Sequence, residues 1–235
     1  MKIKNIFIVS GEERKNIVEE LIQKSYPGSS FYILAGLASF IAAIGLIVDN
    51  IVVVIGSMLV APLLYPIVFL GMSVVISDFK VVRRTFIIIV KIMILGVSIG
   101  FLTALVFKPL AQVEVTGIFS EKILFPFFYI SIASGLAASF AIARKSLQEF
   151  LPGVAVSISL IPPLINAGVA IGFGHFSLSL DSLQIFLVNI TGIILASIIV
   201  FYFMGFTRER KIAKKTIKEE EKHLKKGSAE FNNKK

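Results

Sequence analysis

The sequence contains no cysteine, and only 17% of its 235 residues are charged. Without cysteine the chain has no disulfide framework, no thiolate metal site and no cysteine nucleophile. Soluble domains carry about a quarter charged residues, whereas 56% of this chain is hydrophobic. The composition therefore predicts an all-α integral membrane protein with the lipid bilayer around it. No short apolar segment precedes a small-residue cleavage site, so we expect no removable signal peptide.

The features of several enzyme classes are also missing. No apolar segment contains the pair of deep acids that an intramembrane aspartyl protease needs. The two histidines, His175 and His223, lie outside the apolar segments and far from each other along the chain. Neither a Walker A loop nor a dinucleotide-binding fingerprint occurs in the sequence. We therefore expect no enzymatic activity, no metal site and no cofactor.

Six apolar segments account for well over half of the chain, and each is long enough to cross a bilayer. If every segment crosses, 21 of the 24 Lys and Arg residues fall on one side. The positive-inside rule places that side in the cytoplasm. We therefore predict a multi-pass protein of the cell membrane with both termini cytoplasmic, and we assign the net charge of +9 to orientation and not to nucleic-acid binding. The segments are 31–48, 51–77, 85–107, 123–143, 151–174 and 183–206.

The charged stretches divide the chain into five parts. A cytoplasmic or interfacial arm precedes the first membrane repeat, an extracytoplasmic loop separates that repeat from the second, and a basic cytoplasmic tail follows. Within the arm, Ile17, Val18, Leu21 and Ile22 recur at helical spacing, which predicts an amphipathic helix. The five parts are 1–28, 29–107, 108–122, 123–206 and 207–235.

The two membrane halves resemble each other at a constant offset of 100 residues. The tripeptide Ala-Ser-Phe at 38–40 recurs at 138–140, and further identities cluster where 54–64 aligns with 154–164. Each half holds three crossings, an odd number, so the second half enters the membrane from the opposite side. This predicts a 3+3 inverted-topology repeat, which is the architecture of many secondary transporters. Duplication that builds only a symmetric scaffold would leave the same pattern.

Prolines interrupt the second and fifth segments at matching positions of the two halves. Each proline lacks the N–H that bonds the carbonyl four residues earlier. In hydrocarbon a freed carbonyl must be buried in protein or face a wet cavity, so the two breaks predict a solute or ion pathway. A kink healed by serine hydroxyls and neighbouring helices is the alternative. The pathway candidates are the prolines, the residues with freed carbonyls and nearby polar side chains: Asn50, Ser57, Met58, Pro62, Pro66, Ser157, Ile158, Ser159, Pro162, Pro163 and Asn166.

Two stretches carry a resemblance to a known family. DNIVVVIGSMLVAPLLYPI at 49–67 and LPGVAVSISLIPPL at 151–164 resemble the two signature stretches of an uncharacterised family of hydrophobic membrane proteins, domain of unknown function 389. The resemblance extends over about residues 31–206 and implies a membrane fold without a settled activity. Asp49 and Tyr65 stand where the family is expected to carry Asn and Gly. Tyr65 would narrow a passage beside the first break.

Four residues are secondary candidates: Asp49, Tyr65, Lys91 and Asn189. Lys91 lies within the third segment, where it either faces the interior and suits an anion or snorkels to the interface. Asn189 in the sixth segment either partners Lys91 or forms an interhelical hydrogen bond. Asp49, with Asn50 and with Asp181 in the last outer loop, forms either an acidic mouth that concentrates cations or a set of solvated turn residues.

These features favour passage of a small solute or ion, by a secondary transporter or a channel, through a path at two facing broken helices. A chain of 25.7 kDa has few helices with which to enclose a wide path, so we expect a homo-oligomer. The alternative is a non-transport membrane scaffold or stress-response component that acts through its cytoplasmic arm and tail.

Overall fold

The computed structural model of the protein describes residues 9–25, 28–76, 79–108, 124–209, 212–213, 215–217 and 219. The loop predicted at 108–122 lies, except for Lys108, outside the described residues, as do the first eight residues of the arm and most of the tail. Within the described ranges all regular secondary structure is helical. Among the described residues, the helices with continuous bounds are two 3-10 helices, Lys145–Phe150 and Phe206–Glu209, and nine α-helices: α1 Gly11–Ser25, α2 Ser29–Ile47, α3 Ile51–Val60, α4 Leu64–Val75, α5 Phe79–Phe107, α6 Leu124–Ile142, α7 Leu151–Ile158, α8 Ile161–Phe173 and α9 Phe176–Phe203.

The helices are long and apolar enough to be embedded in a membrane. Five stretches qualify as spans: α2, α5, α6, α9 and the run from Lys145 to Phe173, which contains α7 and α8. A sixth candidate combines α3 and α4, which are bent by 53° relative to each other. The candidates coincide with the six apolar segments of the sequence. These apolar helices indicate a membrane-embedded protein with five or six spans among the described residues.

Two helices begin earlier than the hydropathy pattern predicts. Helix α5 begins at Phe79 and not at residue 85, and α9 begins at Phe176 and not at residue 183. Asp181, which we predicted in the last outer loop, therefore lies in the second turn of α9. The reason is that hydropathy marks only the part of a helix that suits lipid. Polar residues such as Lys80 and Arg83, which are good helix formers, extend α5 beyond that part.

Close helix contacts hold the bundle together. Helix α5 packs against α8, α6 packs against α9, and α4 packs against α5 and α9. Glycine permits the shortest approaches: a Cβ atom placed on Gly100 of α5 would stand 2.6 Å from the carbonyl oxygen of Ile165 in α8. Across α6 and α9, the Ser139 and Ser197 hydroxyl oxygens lie 2.8 Å apart. Small residues and serine pairs are typical of helix packing in membranes.

Helix α1 lies against the bundle through the apolar face that the sequence predicts. It packs against α4 and against the 3-10 helix Phe206–Glu209. The side chains of this face are at most 4% exposed: Ile17, Val18, Leu21 and Ile22. The predicted amphipathic helix is therefore confirmed, and its apolar face is covered by the rest of the chain.

Polar contacts fix the beginning of α1. The Ser10 hydroxyl accepts the Glu13 N–H at 3.2 Å, and the Glu13 carboxylate accepts the Ser10 N–H at 2.9 Å. This reciprocal pair is a capping box, which satisfies two backbone donors that the first turn leaves open. One residue further on, Arg14 Nε donates to Glu209 Oε1 at 3.1 Å. The arm is thereby tied to the segment that begins the basic tail.

Candidate solute pathway at the two helix breaks

The first break lies between α3 and α4, at residues 61–63. Ala61 has the extended backbone (φ −79°, ψ 126°) that a following proline favours, and its N–H bonds the Ser57 carbonyl at 3.3 Å. Pro62 follows in the turn and has no N–H to continue the helical bonding. Pro66 is the third residue of α4, where an N–H would lack an intrahelical acceptor in any case. The break is thus produced by Pro62, and Pro66 is tolerated in the next helix.

The second break lies between α7 and α8, at Ser159 and Leu160. Ser159 adopts a left-handed backbone (φ 49°, ψ 50°), which is rare for a residue with a side chain. Pro162 and Pro163 are buried in the first turn of α8, where proline is tolerated. The side chain of Ile158, the last residue of α7, is outside the described part of the structure. Both breaks therefore combine a helix end with prolines at the start of the next helix.

Asn189 of α9 supports the second break. Its side-chain Nδ2 donates to the Ser159 carbonyl oxygen at 3.3 Å, and the residue is 1% exposed. We expected either a Lys91 partner or an interhelical hydrogen bond for Asn189, and this bond corresponds to the second. Lys91 itself is exposed on the outside of the bundle. The carbonyl that the prolines leave open at this break is thus satisfied by a side chain from another helix.

Residues from both breaks line a common cavity of about 20 Å³. On that measure a water molecule needs roughly 10–15 Å³, so the cavity has room for about one. The first break contributes Met58, Ala61, Leu63 and Leu64, and the second span contributes Ala155, Leu160 and Ile161. The two breaks, which are far apart along the chain, therefore meet in space.

A larger cavity of about 320 Å³ adjoins the small one, with Met58, Ala61, Leu64 and Ala155 lining both. Nine of its eleven lining residues are apolar. The full lining is Met58, Leu59, Val60, Ala61, Pro62, Leu64, Tyr65, Gln148, Leu151, Pro152 and Ala155. Of the sequence candidates, Met58, Pro62 and Tyr65 thus lie at the cavities.

The two pathway serines bond to their own helices. The Ser57 hydroxyl donates to the Val54 carbonyl at 2.6 Å. The Ser157 hydroxyl lies 2.7 Å from the Val154 carbonyl oxygen and 3.1 Å from Ser134 Oγ of α6. Neither serine lines the two cavities. Their hydroxyls bond carbonyls within their own helices, and Ser157 also contacts α6; neither hydroxyl reaches a carbonyl that a proline frees.

The two pathway asparagines are also used elsewhere. Asn50 is the N-cap of α3, where its Oδ1 accepts the N–H groups of Val52 and Val53 at 3.1 and 3.2 Å. Asn166 Nδ2 donates to Ser182 Oγ at 2.8 Å, which links α8 to α9. Asp49 precedes the cap with a left-handed backbone (φ 51°) in the α2–α3 turn. These three residues shape the helices around the two breaks and do not line the two cavities.

The comparison with known families bears on the same part of the chain. A family model described as "Domain of unknown function (DUF389)" matches residues 58–195. The chain belongs to the DUF389 family. The matched range begins at Met58 and contains both helix breaks, both cavities and Asn189. The uncharacterised membrane family that the two signature stretches indicated is therefore confirmed.

A relative of this DUF389 protein is similar over most of the chain. "Uncharacterized protein MJ0678" of Methanocaldococcus jannaschii is 28% identical over 204 residues. The similarity covers 85% of this chain and 61% of the relative, so the chain spans less than two thirds of the relative's length. No solved structure matches this DUF389 chain.

The two polar side chains of the larger cavity touch the arm. The Tyr65 hydroxyl lies 3.4 Å from Lys24 Nζ, which also stands 4.9 Å from the centroid of the Tyr65 ring. Gln148 Nε2 donates to Glu20 Oε2 at 3.5 Å, and Glu20 Oε1 accepts from Lys24 Nζ at 2.7 Å. No local pattern in the sequence of this protein predicts the cluster, because Glu20 and Gln148 are 128 residues apart along the chain. Sequence reasoning therefore missed Glu20, Lys24 and Gln148.

The arm residues of this cluster are charged at neutral pH. Partial burial acts to raise the pKa of the Glu20 carboxyl, but hydrogen bonds from Lys24 and Gln148 outweigh it and leave that pKa below the ordinary 4.5. Burial acts to lower the pKa of the Lys24 ammonium, but Glu20 and the Tyr65 hydroxyl outweigh it and leave that pKa above the ordinary 10.5. The cluster is thus an ion pair with a neutral polar group at each end.

Proposed function

We propose that this DUF389 protein passes a small solute or ion across the membrane, as a secondary transporter or a channel. The observation that carries the proposal is the common cavity between the two helix breaks. Irregular backbone at membrane depth is tolerated where it is buried in protein or lines a cavity. Transporters place their sites beside such interrupted helices. The path would run from the larger cavity, past Met58 and Ala61, to the second break.

The lining of the larger cavity favours a particular class of solute. Nine of the eleven residues are apolar, and Tyr65 and Gln148 supply neutral polar groups. A bare ion loses its hydration at great cost unless oxygen ligands replace the water. We therefore propose an uncharged solute with some apolar surface in preference to a bare ion. The same lining, without a carboxylate or a histidine, supports a role other than catalysis.

We propose further that the two halves, 29–107 and 123–206, form an inverted repeat with both termini cytoplasmic. The helix contacts support this relation. In the repeat, helices α2 to α5 of the first half correspond in order to α6 to α9 of the second. The contact of α4 with α9 therefore corresponds to that of α8 with α5, and both pairs pack together. The contact of α2 with α3 likewise corresponds to that of α6 with α7, and both of these pairs pack together. The excess of Lys and Arg on one side supports the orientation.

We also propose that the protein is a homo-oligomer joined through α3 and α7. Both are short and have exposed faces, and both contain a glycine, Gly56 or Gly153, whose added Cβ would meet nothing within 4 Å. Gly100 and Gly71, by contrast, lie against a neighbouring helix of the same chain. Small residues at exposed membrane positions suit a close contact with another helix. A second copy of the chain would supply it.

One observation favours the scaffold alternative. The bond between Arg14 and Glu209, with side chains only 18% and 9% exposed, joins the arm to the start of the tail. The arm and the start of the tail, through which a scaffold would act, are therefore in contact. A stable partner bound by these parts, in a protein whose breaks are sealed from water, would support this function over transport.

Thiol accessibility tests the proposed pathway, because the native chain has no cysteine. Ala61→Cys and Ala155→Cys each place one thiol in both cavities, and Ala42→Cys places one in α2 at a fully buried position. We expect small membrane-impermeant reagents to label the two cavity positions in the folded protein and not Ala42→Cys. Protection of both cavity positions until the protein is denatured would contradict the pathway and favour the scaffold.

A further inference from the structure

We propose that the Glu20 and Lys24 side chains of α1 form a gate beside the larger cavity, closed by a chain of contacts from Tyr65 through Lys24 and Glu20 to Gln148. This inference rests on the proposed pathway, because a gate needs a path to control. The two ends of the chain line the cavity. Its two middle members belong to the arm, which lies outside the family match at 58–195.

The geometry shows how the gate spans the two broken segments. Tyr65 is in the first turn of α4, directly after the first break. Gln148 is in the 3-10 helix that leads into α7 and hence to the second break. Glu20 binds Gln148 with one carboxylate oxygen and Lys24 with the other, and the Lys24 ammonium reaches Tyr65. The arm thus connects the start of α4 to the segment before α7. Residues of α4 and of α7 line the larger cavity next to this connection.

The contacts across the mouth have lengths suited to reversible opening. The bond within α1, between Lys24 and Glu20, is short at 2.7 Å, whereas the contacts from α1 to the cavity are 3.4 Å and 3.5 Å. Long hydrogen bonds at partly exposed positions are individually weak. Opening therefore requires the loss of the two long contacts while the ion pair within α1 stays intact.

The rest of α1 remains an anchor when the gate opens. Val18 and Ile22 are fully buried, and Arg14 holds the N-terminal part of the helix to Glu209. These contacts are on the parts of α1 that face α4 and the 3-10 helix Phe206–Glu209. Rotation of the Glu20 and Lys24 side chains alone would expose the mouth, while buried Ile22 holds the backbone of α1 in place.

The test measures how fast a cavity thiol reacts when the gate contacts are removed. Ala61→Cys serves as the parent, and a membrane-impermeant methanethiosulfonate reagent is the probe. Glu20→Ala and Lys24→Met are introduced separately, so that a folding defect in one leaves the other informative. Size-exclusion elution and melting temperature check the fold of each. We expect each variant to react about two- to five-fold faster than the parent, the factor that corresponds to losing one weak, partly exposed contact between α1 and the cavity.

A second ion pair on the same helix provides the matched control. Lys15 and Glu19 are also four residues apart, at 4.0 Å, and more exposed. Glu19→Ala and Lys15→Met make the same chemical changes and should leave the reaction rate of Ala61→Cys unchanged. Equal rates in parent, gate variants and control variants would overturn the gate and leave the pathway standing. Absence of reaction in every background would overturn the pathway and the gate together.

Discussion

Replacement of Gly100 by alanine tests the helix contact that supports the second break. Gly100 lies at the centre of the packing between α5 and α8, and α8 begins at that break. The added Cβ atom would stand 2.6 Å from the Ile165 carbonyl oxygen and 3.3 Å from the Val169 nitrogen. Both atoms belong to the backbone of α8, so neither can move aside by a change of rotamer.

The size of the effect follows from these distances. A carbon atom normally approaches a carbonyl oxygen to about 3.3–3.6 Å, so α5 and α8 must separate by most of an ångström. Overpacking of this kind costs about 1–3 kcal/mol. The exchange of glycine for alanine in a helix returns about 0.5–1 kcal/mol. The difference is a lowering of the free energy of unfolding by roughly 0–2.5 kcal/mol, and we expect a value near the middle of that range for Gly100→Ala.

Thermal unfolding in detergent, with wild type and variant under the same conditions, measures this change. Gly36→Ala is the matched control, because its added Cβ would meet only the end of the Ile99 side chain, at 3.5 Å. The control should melt at or slightly above the temperature of the wild type, and Gly100→Ala below it. A Gly100→Ala protein as stable as the Gly36→Ala protein would refute the close approach of α5 and α8.

Three further predictions concern polar contacts. Asn189→Ala removes the donor to the second break and should destabilise the protein by about 1 kcal/mol, read from the melting temperature. Arg14→Met leaves the Glu209 carboxylate without its guanidinium and should cost about 2 kcal/mol, with faster proteolysis of the arm. The contribution of the pair Glu20 and Lys24 should be constant at neutral pH. It should fall as acid protonates Glu20, below pH 4.5, and as base neutralises Lys24, above pH 10.5.

A control variant or a contradicting result accompanies each of these predictions. Thr191→Val, at an exposed position of α9, should leave the melting temperature unchanged, and an Asn189→Ala protein equally stable would argue against support of the break. Lys215→Met breaks an exposed pair with Glu219 at 3.9 Å and should have little effect beside Arg14→Met. For the gate pair, a stability difference between wild type and Glu20→Ala that varies between pH 6 and 9 would contradict the assigned charges.

Local patterns in the sequence predict the membrane part of the fold. Hydropathy locates the six apolar segments, and proline marks the break at Pro62 because it lacks an N–H whatever surrounds it. The buried face of α1 is also predictable, since Ile17 and Leu21 recur at helical spacing. Boundaries are less predictable where a polar helix continues an apolar one, as at the start of α9.

The cavity and its gate depend on contacts that no local pattern encodes. Ala61 and Ala155 line both cavities, yet alanine carries no chemical feature that marks it as a site residue. Asn189 and Ser159 are 30 residues apart, and only the packing of α9 brings them together. Ser57 was a candidate because it is polar and near a break, but its hydroxyl bonds its own helix. Polar residues near the breaks are thus used mainly in hydrogen bonds within and between helices, and most residues that line the cavities are apolar.

Blockage of flux through a modified cavity tests the proposed passage most directly. Ala61→Cys protein in liposomes is assayed for osmotic swelling with urea and glycerol, and for Na⁺, K⁺ and Cl⁻ flux with indicator dyes. Ala42→Cys protein is the parallel control. We predict that at least one uncharged solute passes faster than through protein-free liposomes. A bulky thiol reagent should then abolish most of this passage in Ala61→Cys and none in Ala42→Cys. Passage that the modification of Ala61→Cys leaves unchanged, or no passage of any probe, would contradict a solute path between the two breaks.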